Sequence, residues 1–279
     1  MSPALRPMTP EDLDFAESLC AQAGWNQTRE DWKNLLGFES AECFLAEQSG
    51  ETAGTVSVIH HQGSLSWIGM LLVEERFRGQ GIGKALLEQA ITAARARGTL
   101  GCGLDATPAG FPLYKKRGFT VIAQLQRWEG TVPPINGLPL PPITEADWPD
   151  IDHLDRLAFG ANRSAWLRRL SPRGKTRILR AAGGMMAFGM LRAGRRAWYL
   201  GPVVASNNEP ALQIIESLLS GIDGRLLYWD APVCSADGPV SLPSRWGFTV
   251  QRHYFRMILG NPPQQDWRRL IAIADPATG

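Results

Sequence analysis

A glycine-rich loop that runs into a helix is the stretch whose residue types most directly indicate chemistry. In "VEERFRGQGIGKALLEQAI" (73–91), Gly79, Gly81 and Gly83 leave the backbone uncovered just before a segment with apolar residues at helical spacing. The N–H groups of a first helical turn have no partner within the helix, and the helix dipole makes this end positive. With the side chains of Arg78 and Lys84 beside it, the loop is therefore a candidate site for phosphate oxygens.

Two common phosphate-binding fingerprints do not fit this loop. A Rossmann fingerprint needs a third small residue where the sequence has Lys84, and a Walker loop needs glycine at Arg78 and Ser or Thr at Ala85. The pattern that fits is Arg/Gln-x-x-Gly-x-Gly/Ala, formed by Arg78, Gly81 and Gly83. The alternative is a glycine-rich turn that binds nothing, which the preceding apolar strand and the flanking cations disfavour.

The loop resembles the pyrophosphate-binding loop of the GNAT (Gcn5-related N-acetyltransferase) family. A second segment, "LYKKRGF" (113–119), resembles the Leu-Tyr-x-Lys-x-Gly-Phe stretch of that family. The resemblance extends over roughly residues 5–130 and implies acetyl-CoA as co-substrate, without a metal. The coenzyme-binding residues that it implies are Met70, Leu71, Leu72, Val73, Arg78, Gly79, Gln80, Gly81, Ile82, Gly83, Lys84, Thr107 and Tyr114.

Tyr114 is the catalytic residue that the resemblance implies, because the tyrosine of this segment lies near the coenzyme sulfur. A phenol is a hydrogen-bond donor at neutral pH, so Tyr114 is suited to protonate the leaving thiolate. The alternative is a half-buried aromatic residue in a short helix.

The general base is not evident from the sequence. Many family members place a glutamate on the strand before the loop, but "GSLSWIGML" contains no acid, and Thr107 stands where many members have asparagine. Asp105 is the first candidate, at the end of a predicted strand; the others are Glu74 and one of His60 and His61 acting through water. Asp105 is equally well interpreted as a helix cap or turn residue, and a chain of waters can also accept the proton.

The acceptor side is predicted from the loop "AGWNQTREDW" (22–31). In this fold the loop covers the acceptor end of the cleft, so Trp25 and Asn26 are candidate substrate-binding residues. The alternative is a helix cap with a tryptophan in the core. The acceptor itself, a small molecule or a peptide with an amine, is not identifiable from the sequence.

The sequence is internally duplicated. "KKRGFTV" (115–121) and "SRWGFTV" (244–250) share four residues, and further matches follow in the same order, including "LDAT" (104–107) with "WDAP" (229–232). The pattern predicts two tandem GNAT-like domains, 1–130 and 143–279, joined by the proline-rich linker "TVPPINGLPLPP" (131–142). Each is expected to be a mixed α+β unit with a mostly antiparallel sheet flanked by helices.

The second copy is predicted to have lost coenzyme binding. Its loop "ASNNEPALQIIES" (205–217) contains no Gly, Arg or Lys, Glu209 would repel a phosphate, and Pro243 occupies the tyrosine position. We expect this copy to close one side of the acceptor cleft, with Asp230 facing it. A third possibility is that the second half carries the catalytic site.

Bulk composition excludes several classes. Basic and acidic side chains number 29 and 27, which disfavours a nucleic-acid binder, and the longest apolar run, Trp67–Val73, is too short to span a membrane. Residues 163–180 carry seven basic side chains and no acid, which indicates either a solvated face or an anionic partner. The 4 dispersed cysteines favour reduced thiols in the cytoplasm. We expect a monomer, as a pseudo-dimer of two halves, or a weak homodimer.

The sequence thus predicts a cytoplasmic, acetyl-CoA-dependent N-acetyltransferase that acts by direct attack in a ternary complex. The alternative function is a non-catalytic acyl-CoA sensor or interaction module, which the missing strand glutamate favours and the retained Tyr114 disfavours.

Overall fold

The computed structural model describes residues 3–62, 65–233 and 241–279. Cys234, one of the four thiols considered above, lies outside these ranges, and Cys20, Cys43 and Cys102 are free and buried. Within the described ranges, no helix combines the length and the apolar character that crossing a bilayer requires.

The first half of the chain alternates helices and strands as the sequence predicts. Its elements, in chain order, are β1 (Ala4–Pro7), α1 (Leu13–Gln22), α2 (Arg29–Leu36), β2 (Ala41–Gln48), β3 (Glu51–His61), β4 (Leu65–Val73), α3 (Ile82–Ala96), β5 (Gly101–Ala106), α4 (Phe111–Lys116) and β6 (Thr120–Thr131).

The second half repeats this order with small changes in length. Its elements are α5 (Trp148–Phe159), α6 (Ser164–Leu170), β7 (Gly174–Ala181), β8 (Gly184–Ala193), β9 (Trp198–Ala205), α7 (Asn208–Leu219), β10 (Leu226–Pro232), α8 (Ser241–Ser244), β11 (Thr249–Gly260) and β12 (Leu270–Ala272). The mixed α+β fold class is confirmed.

All strands of the described residues join one sheet, and its order shows that the two halves exchange β6 and β11. The order is β1-β2-β3-β4-β5-β11-β6-β10-β9-β8-β7, with β12 pairing on β9. Neighbours are antiparallel except β4 with β5 and β9 with β10. Because β11 lies between β5 and β6, and β6 pairs with β10, the sheet continues without a break from the first half into the second. The division of the chain into domains 1–130 and 143–279 stays a prediction. In the sheet, each half contributes one strand that pairs with the strands of the other half.

The apolar core is shared between the halves on one face of the sheet and separate on the other. The shared cluster packs α1 and α2 with α5 and α6, and it contains the fully buried Trp32 and the largely buried Trp148 and Trp166. On the opposite face, α3 covers the first half and α7 covers the second. Burial alternates along the strands accordingly: Leu45 belongs to the shared core, whereas Phe44 packs under α3.

Two buried Arg–Asp pairs stabilise the exchange at equivalent places. Arg256 on β11 donates from Nε and Nη2 to the Asp105 oxygens at 2.8 and 2.7 Å, and both side chains are fully buried. Arg127 on β6 donates to Asp230 on β10 at 2.8 and 2.6 Å. In each pair the arginine lies on the exchanged strand of one half, and the aspartate lies on the neighbouring strand of the other half.

Candidate functional site

A cleft opens where β4 and β5 separate. Their parallel ladder contains only the pairs from Leu65 with Gly101 to Trp67 with Gly103, although β4 continues to Val73 and β5 to Ala106. The space between the diverging strands is a cleft lined by Met70 and Leu71 of β4 and by Leu104 and Asp105 of β5. Backbone groups of β4 that would pair with β5 are therefore available to a ligand.

A bulge in β4 produces this divergence. Met70 has a φ of 51°, which is unusual for a residue with a side chain, and the ladder with β3 shifts between Thr55 and Ser57. The buried Thr55 hydroxyl donates to the Met70 carbonyl at 2.9 Å and holds the bulge in place. The sequence gives no sign of this bulge, because Met70 lies in an uninterrupted apolar run.

Replacing Thr55 by valine is expected to loosen the bulge. The change leaves the buried Met70 carbonyl without its donor, and we expect a loss of about 1–3 kcal/mol in unfolding free energy together with weaker acetyl-CoA binding. Urea unfolding and isothermal titration measure the two effects. Ser57→Ala is the matched control, because Ser57 is buried on the same strand and its hydroxyl has no partner in the described residues. Equal effects of the two variants would contradict the assignment.

The glycine loop has the conformation and openness that the sequence predicts. Gly79 and Gly81 adopt φ values of 78° and 85°, and a Cβ added to either would meet no atom within 4 Å. Helix α3 begins at Ile82, so the N–H groups of its first turn face the open loop. The Arg78 guanidinium donates to the Val73 carbonyl at 3.1 Å and to the Glu75 carboxylate at 3.2 Å, and it stays half exposed. The loop therefore has an uncovered backbone at the start of a helix, with a half-exposed guanidinium beside it.

Tyr114 lies on the short helix α4 and faces the cleft. Its ring packs edge-on to Phe119 and lies directly over Gly110, where an added Cβ would come within 2.9 Å of the ring. Tyr114 lines the cleft together with Met70, Leu71 and Thr107. Burial raises the pKa of Tyr114 to about 12, so its hydroxyl is protonated at neutral pH.

Asp105 is the one base candidate in the described part of the chain that lines the cleft. Burial raises its pKa above the usual range, and the Arg256 guanidinium opposes that shift. Its carboxylate is therefore a structural partner of Arg256 as well as a lining group. Glu74 instead accepts from Arg76 at 3.1 Å outside the cleft.

The two histidines also lie away from the cleft, as neighbours on a strand that face opposite sides. His60 contacts the Ser66 hydroxyl through Nδ1 at 2.8 Å and Glu42 through Nε2 at 3.2 Å. His61 is buried edge-on against Phe159, and burial lowers its pKa to about 3. Neither is placed to accept a proton from an amine in the cleft.

His61 is expected to make the protein sensitive to acid. Burial lowers its pKa from the ordinary histidine value of 6.5 to about 3, so the unfolded chain binds a proton that the folded chain does not. Stability should therefore fall as the pH decreases from 6.5 towards 3, by up to about 1.4 kcal/mol per pH unit. His61→Phe should reduce this slope in urea unfolding measured between pH 5 and 7.5. Identical slopes for the variant and the unchanged protein would contradict the prediction.

The predicted acceptor residues separate into one that lines the cleft and two that do not. Trp25 lines the cleft. The buried Asn26 side chain accepts from the N–H groups of Arg196 and Ala197 and donates to the Ala197 carbonyl, so it joins the halves. Asp230 is fully buried and is held by Arg127 and by the Tyr199 hydroxyl at 3.0 Å, which leaves its carboxylate no part in the cleft lining.

The acceptor side contains residues that the sequence did not indicate. The second half supplies Arg252 and Tyr254 from β11 and Pro276 and Ala277 from the segment after β12. That segment crosses β4 closely: a Cβ on Gly69 would lie 2.0 Å from the Ala277 carbonyl oxygen, and Trp67 Nε1 donates to the Pro276 carbonyl at 3.1 Å. The cleft is thus built by both halves.

The equivalent groove of the second half is filled by the chain itself. The β9–β10 ladder ends at Leu200 with Trp229, and β12 then pairs with β9 at Val203 and Val204. Trp229 Nε1 donates to the Ile271 carbonyl at 2.9 Å, and the Ile273 N–H donates to the Asp230 carbonyl at 3.0 Å. The Asn207 side chain caps α7 by accepting from the Glu209 N–H, so this N–H of the first turn already has a partner.

Comparison with known proteins identifies the family twice. Two family models, each described as "Acetyltransferase (GNAT) domain", match residues 39–121 and 151–272, and together they match well over half of the chain. The chain is 27% identical over 212 residues, 74% of each chain, to the uncharacterized N-acetyltransferase YitH of Bacillus subtilis. These matches indicate an N-acetyltransferase, and the predicted tandem arrangement is confirmed.

Solved structures share the whole fold. A putative acetyltransferase from Pyrococcus horikoshii superposes with a TM-score of 0.85 at 24% identity, covering 99% of this chain and 96% of that one. A tandem GNAT protein from the clavulanic acid biosynthesis pathway superposes with a TM-score of 0.67 at 14% identity, covering 94% and 99%.

Proposed function

The chain belongs to the GNAT acetyltransferase family, with two such domains in tandem, and on that premise we propose that it transfers an acetyl group from acetyl-CoA to an amine. The observation that carries the proposal is the opening between β4 and β5, which is lined by Met70, Leu71 and Tyr114. Acetyl-CoA supplies an activated thioester, and the protein residues bind it, orient it and move protons.

The coenzyme is held along one side of the cleft. The first-turn N–H groups of α3, with Arg78 and Lys84, bind the pyrophosphate. The backbone of β4 between Met70 and Val73, which does not pair with β5, binds the amides of the pantetheine arm, and an N–H of this strand polarises the thioester carbonyl. Thr107 lies on the opposite wall.

The reaction proceeds in a ternary complex by direct attack. The amine nitrogen forms a bond to the thioester carbonyl carbon, and the carbon–sulfur bond breaks. Tyr114 gives its proton to the leaving sulfur and is reprotonated from solvent, because its raised pKa keeps it a phenol at neutral pH. The proton of the amine passes to Asp105 or to water in the cleft.

A second candidate function is a sensor that binds an acyl-CoA without turnover. It is favoured by the Asp105 carboxylate, which already accepts two hydrogen bonds from Arg256, and by the absence of an acid on β4. Release of free CoA across a broad panel of amines separates the two functions. If the protein transfers acetyl groups, one CoA is released for each molecule of acetylated amine that forms. Tight binding of acetyl-CoA without release of CoA for any amine of the panel would favour the sensor.

A further inference from the structure

The wall of the cleft opposite the coenzyme loop contains a cation whose charge is not balanced. Arg252, on β11, lines the cleft beside Tyr254. Its Nε donates to the neutral Gln251 side chain at 2.7 Å, and it forms no ion pair with any residue in the described ranges. Among the described residues, no carboxylate balances the charge of this arginine, so we treat it as available to a ligand.

The other arginines in or behind this wall are all neutralised. Arg127 pairs with Asp230, Arg256 with Asp105, and Arg192 with Asp275. The basic segment 163–180 is also largely neutralised, because four of its arginines form ion pairs: Arg163 with Asp155, Arg168 with Glu145, Arg173 with Asp31, and Arg180 with Asp147 and Asp150. An anion that enters the cleft thus finds its unmatched charge at Arg252.

Gln27 offers the complementary group for an amine. Its Nε2 donates to the partly buried Asp275 carboxylate at 2.9 Å, and this contact assigns the nitrogen end of the amide. Gln27 also lines the cleft, so its carbonyl oxygen is the end left to accept an N–H. Trp25 and Tyr254 provide aromatic surface in the same cleft for the carbon skeleton of a ligand.

We propose that Arg252 forms a subsite for an oxyanion, and that the acceptor is an amine that also carries a carboxylate or phosphate group. This inference rests on the proposed acetyl transfer. A guanidinium binds either group through two parallel N–H···O bonds. The anion held at Arg252 fixes one end of the acceptor, while the amine is directed towards Gln27, Asp105 and the thioester.

Matched acceptor pairs that differ by one anionic group test the subsite. The pairs are L-lysine with cadaverine, glycine with glycinamide, phosphoethanolamine with ethanolamine, and glucosamine 6-phosphate with glucosamine. Free CoA release gives kcat/KM for each member. We expect the anionic member of at least one pair to be preferred about 10- to 100-fold, the range of a charge-assisted hydrogen-bonded pair. Carboxylate and phosphate pairs together show which anion fits.

Arg252→Gln should remove that preference selectively. The variant keeps a polar side chain at a partly exposed position, and it should lower kcat/KM about 10-fold or more further for the anionic member than for the neutral member, mainly through KM. Arg225→Gln, at an exposed arginine outside the cleft lining, is the control and should leave both members unchanged. Equal losses for both members, or no preference in any pair, would overturn the proposal while acetyl transfer stands.

A second measurement does not depend on finding the acceptor. In the presence of saturating CoA, inorganic phosphate and acetate are titrated into the unchanged protein and into Arg252→Gln, with binding followed by calorimetry. The proposal predicts that one of these anions binds and that the variant weakens it about 10-fold or more. Binding of neither anion, or equal binding by both proteins, would overturn it. Failure to bind CoA itself would instead overturn the proposed function.

Discussion

Tyr114→Phe is expected to lower kcat for acetyl transfer by about 100-fold or more, while acetyl-CoA affinity changes less than twofold. The substitution removes only the hydroxyl, and proton transfer by a positioned acid contributes about 10²–10⁴-fold to rate. The ring that packs against Phe119 and over Gly110 is kept, so the fold should be unaffected. Initial rates of thiol release, with calorimetry for the coenzyme, separate the rate from the binding.

Tyr254→Phe is the matched control for this prediction. Tyr254 also lines the cleft, but it comes from β11 on the acceptor wall, so loss of its hydroxyl should affect kcat less than loss of the Tyr114 hydroxyl. Because the pKa of Tyr114 is about 12, kcat should not decrease between pH 7 and 10 through ionisation of this residue. A Tyr114→Phe enzyme that keeps kcat within threefold of the unchanged protein would show that another group, or water, protonates the sulfur.

Asp105→Ala is expected to destabilise the protein by about 3–5 kcal/mol, because it leaves the Arg256 guanidinium buried without a counter-ion. The pair joins strands from different halves, so the loss acts on the exchanged sheet. Urea unfolding measures this loss of stability from the midpoint and slope of the transition of each variant. The double replacement of Asp105 by Leu and Arg256 by Met should recover most of the loss, since no charge then remains buried. A loss below about 1 kcal/mol in Asp105→Ala would contradict a stabilising pair.

The equivalent change in the other half separates structure from catalysis at Asp105. Asp230→Ala breaks the corresponding pair with Arg127 and should destabilise to a similar extent. If Asp105 also accepts the proton of the amine, Asp105→Ala should lower kcat well beyond Asp230→Ala and change the acid limb of its pH profile. Equal kcat values for the two variants would assign Asp105 a structural role alone, with water as the proton acceptor.

The uncovered glycine loop before α3 and the short helix that carries Tyr114 were predictable from the sequence because they depend on local signals. Each signal lies within one short stretch of sequence: one is a glycine loop between a strand and a helix, and the other is a tyrosine four residues before a glycine. The ordered repeats predicted two related halves for the same reason. The bulge at Met70 was not predictable, since its cause is a hydrogen bond from Thr55 on another strand.

The acceptor side was not predictable because it depends on which strands become neighbours. Exchange of β6 and β11 brings Arg252 and Tyr254 to the first half, and no periodicity along the chain encodes that choice. One signal was present: Arg127 and Arg256 each lie nine residues after the glycine of the repeated Gly-Phe-Thr-Val phrase. An arginine repeated at the same strand position in both halves indicates a partner in each half, and the partners are Asp105 and Asp230.

The location of the coenzyme site is the central claim, and a calorimetric titration of the whole chain with acetyl-CoA tests it most directly. The open groove beside β4, and the groove of the second half filled by β12, predict one acetyl-CoA per chain. Lys84→Glu, at the start of α3, should weaken binding about 10-fold or more by placing a carboxylate beside the pyrophosphate, whereas Arg95→Glu, near the end of the same helix, should not. Two equivalents per chain, no binding, or equal binding by the two variants would contradict the account.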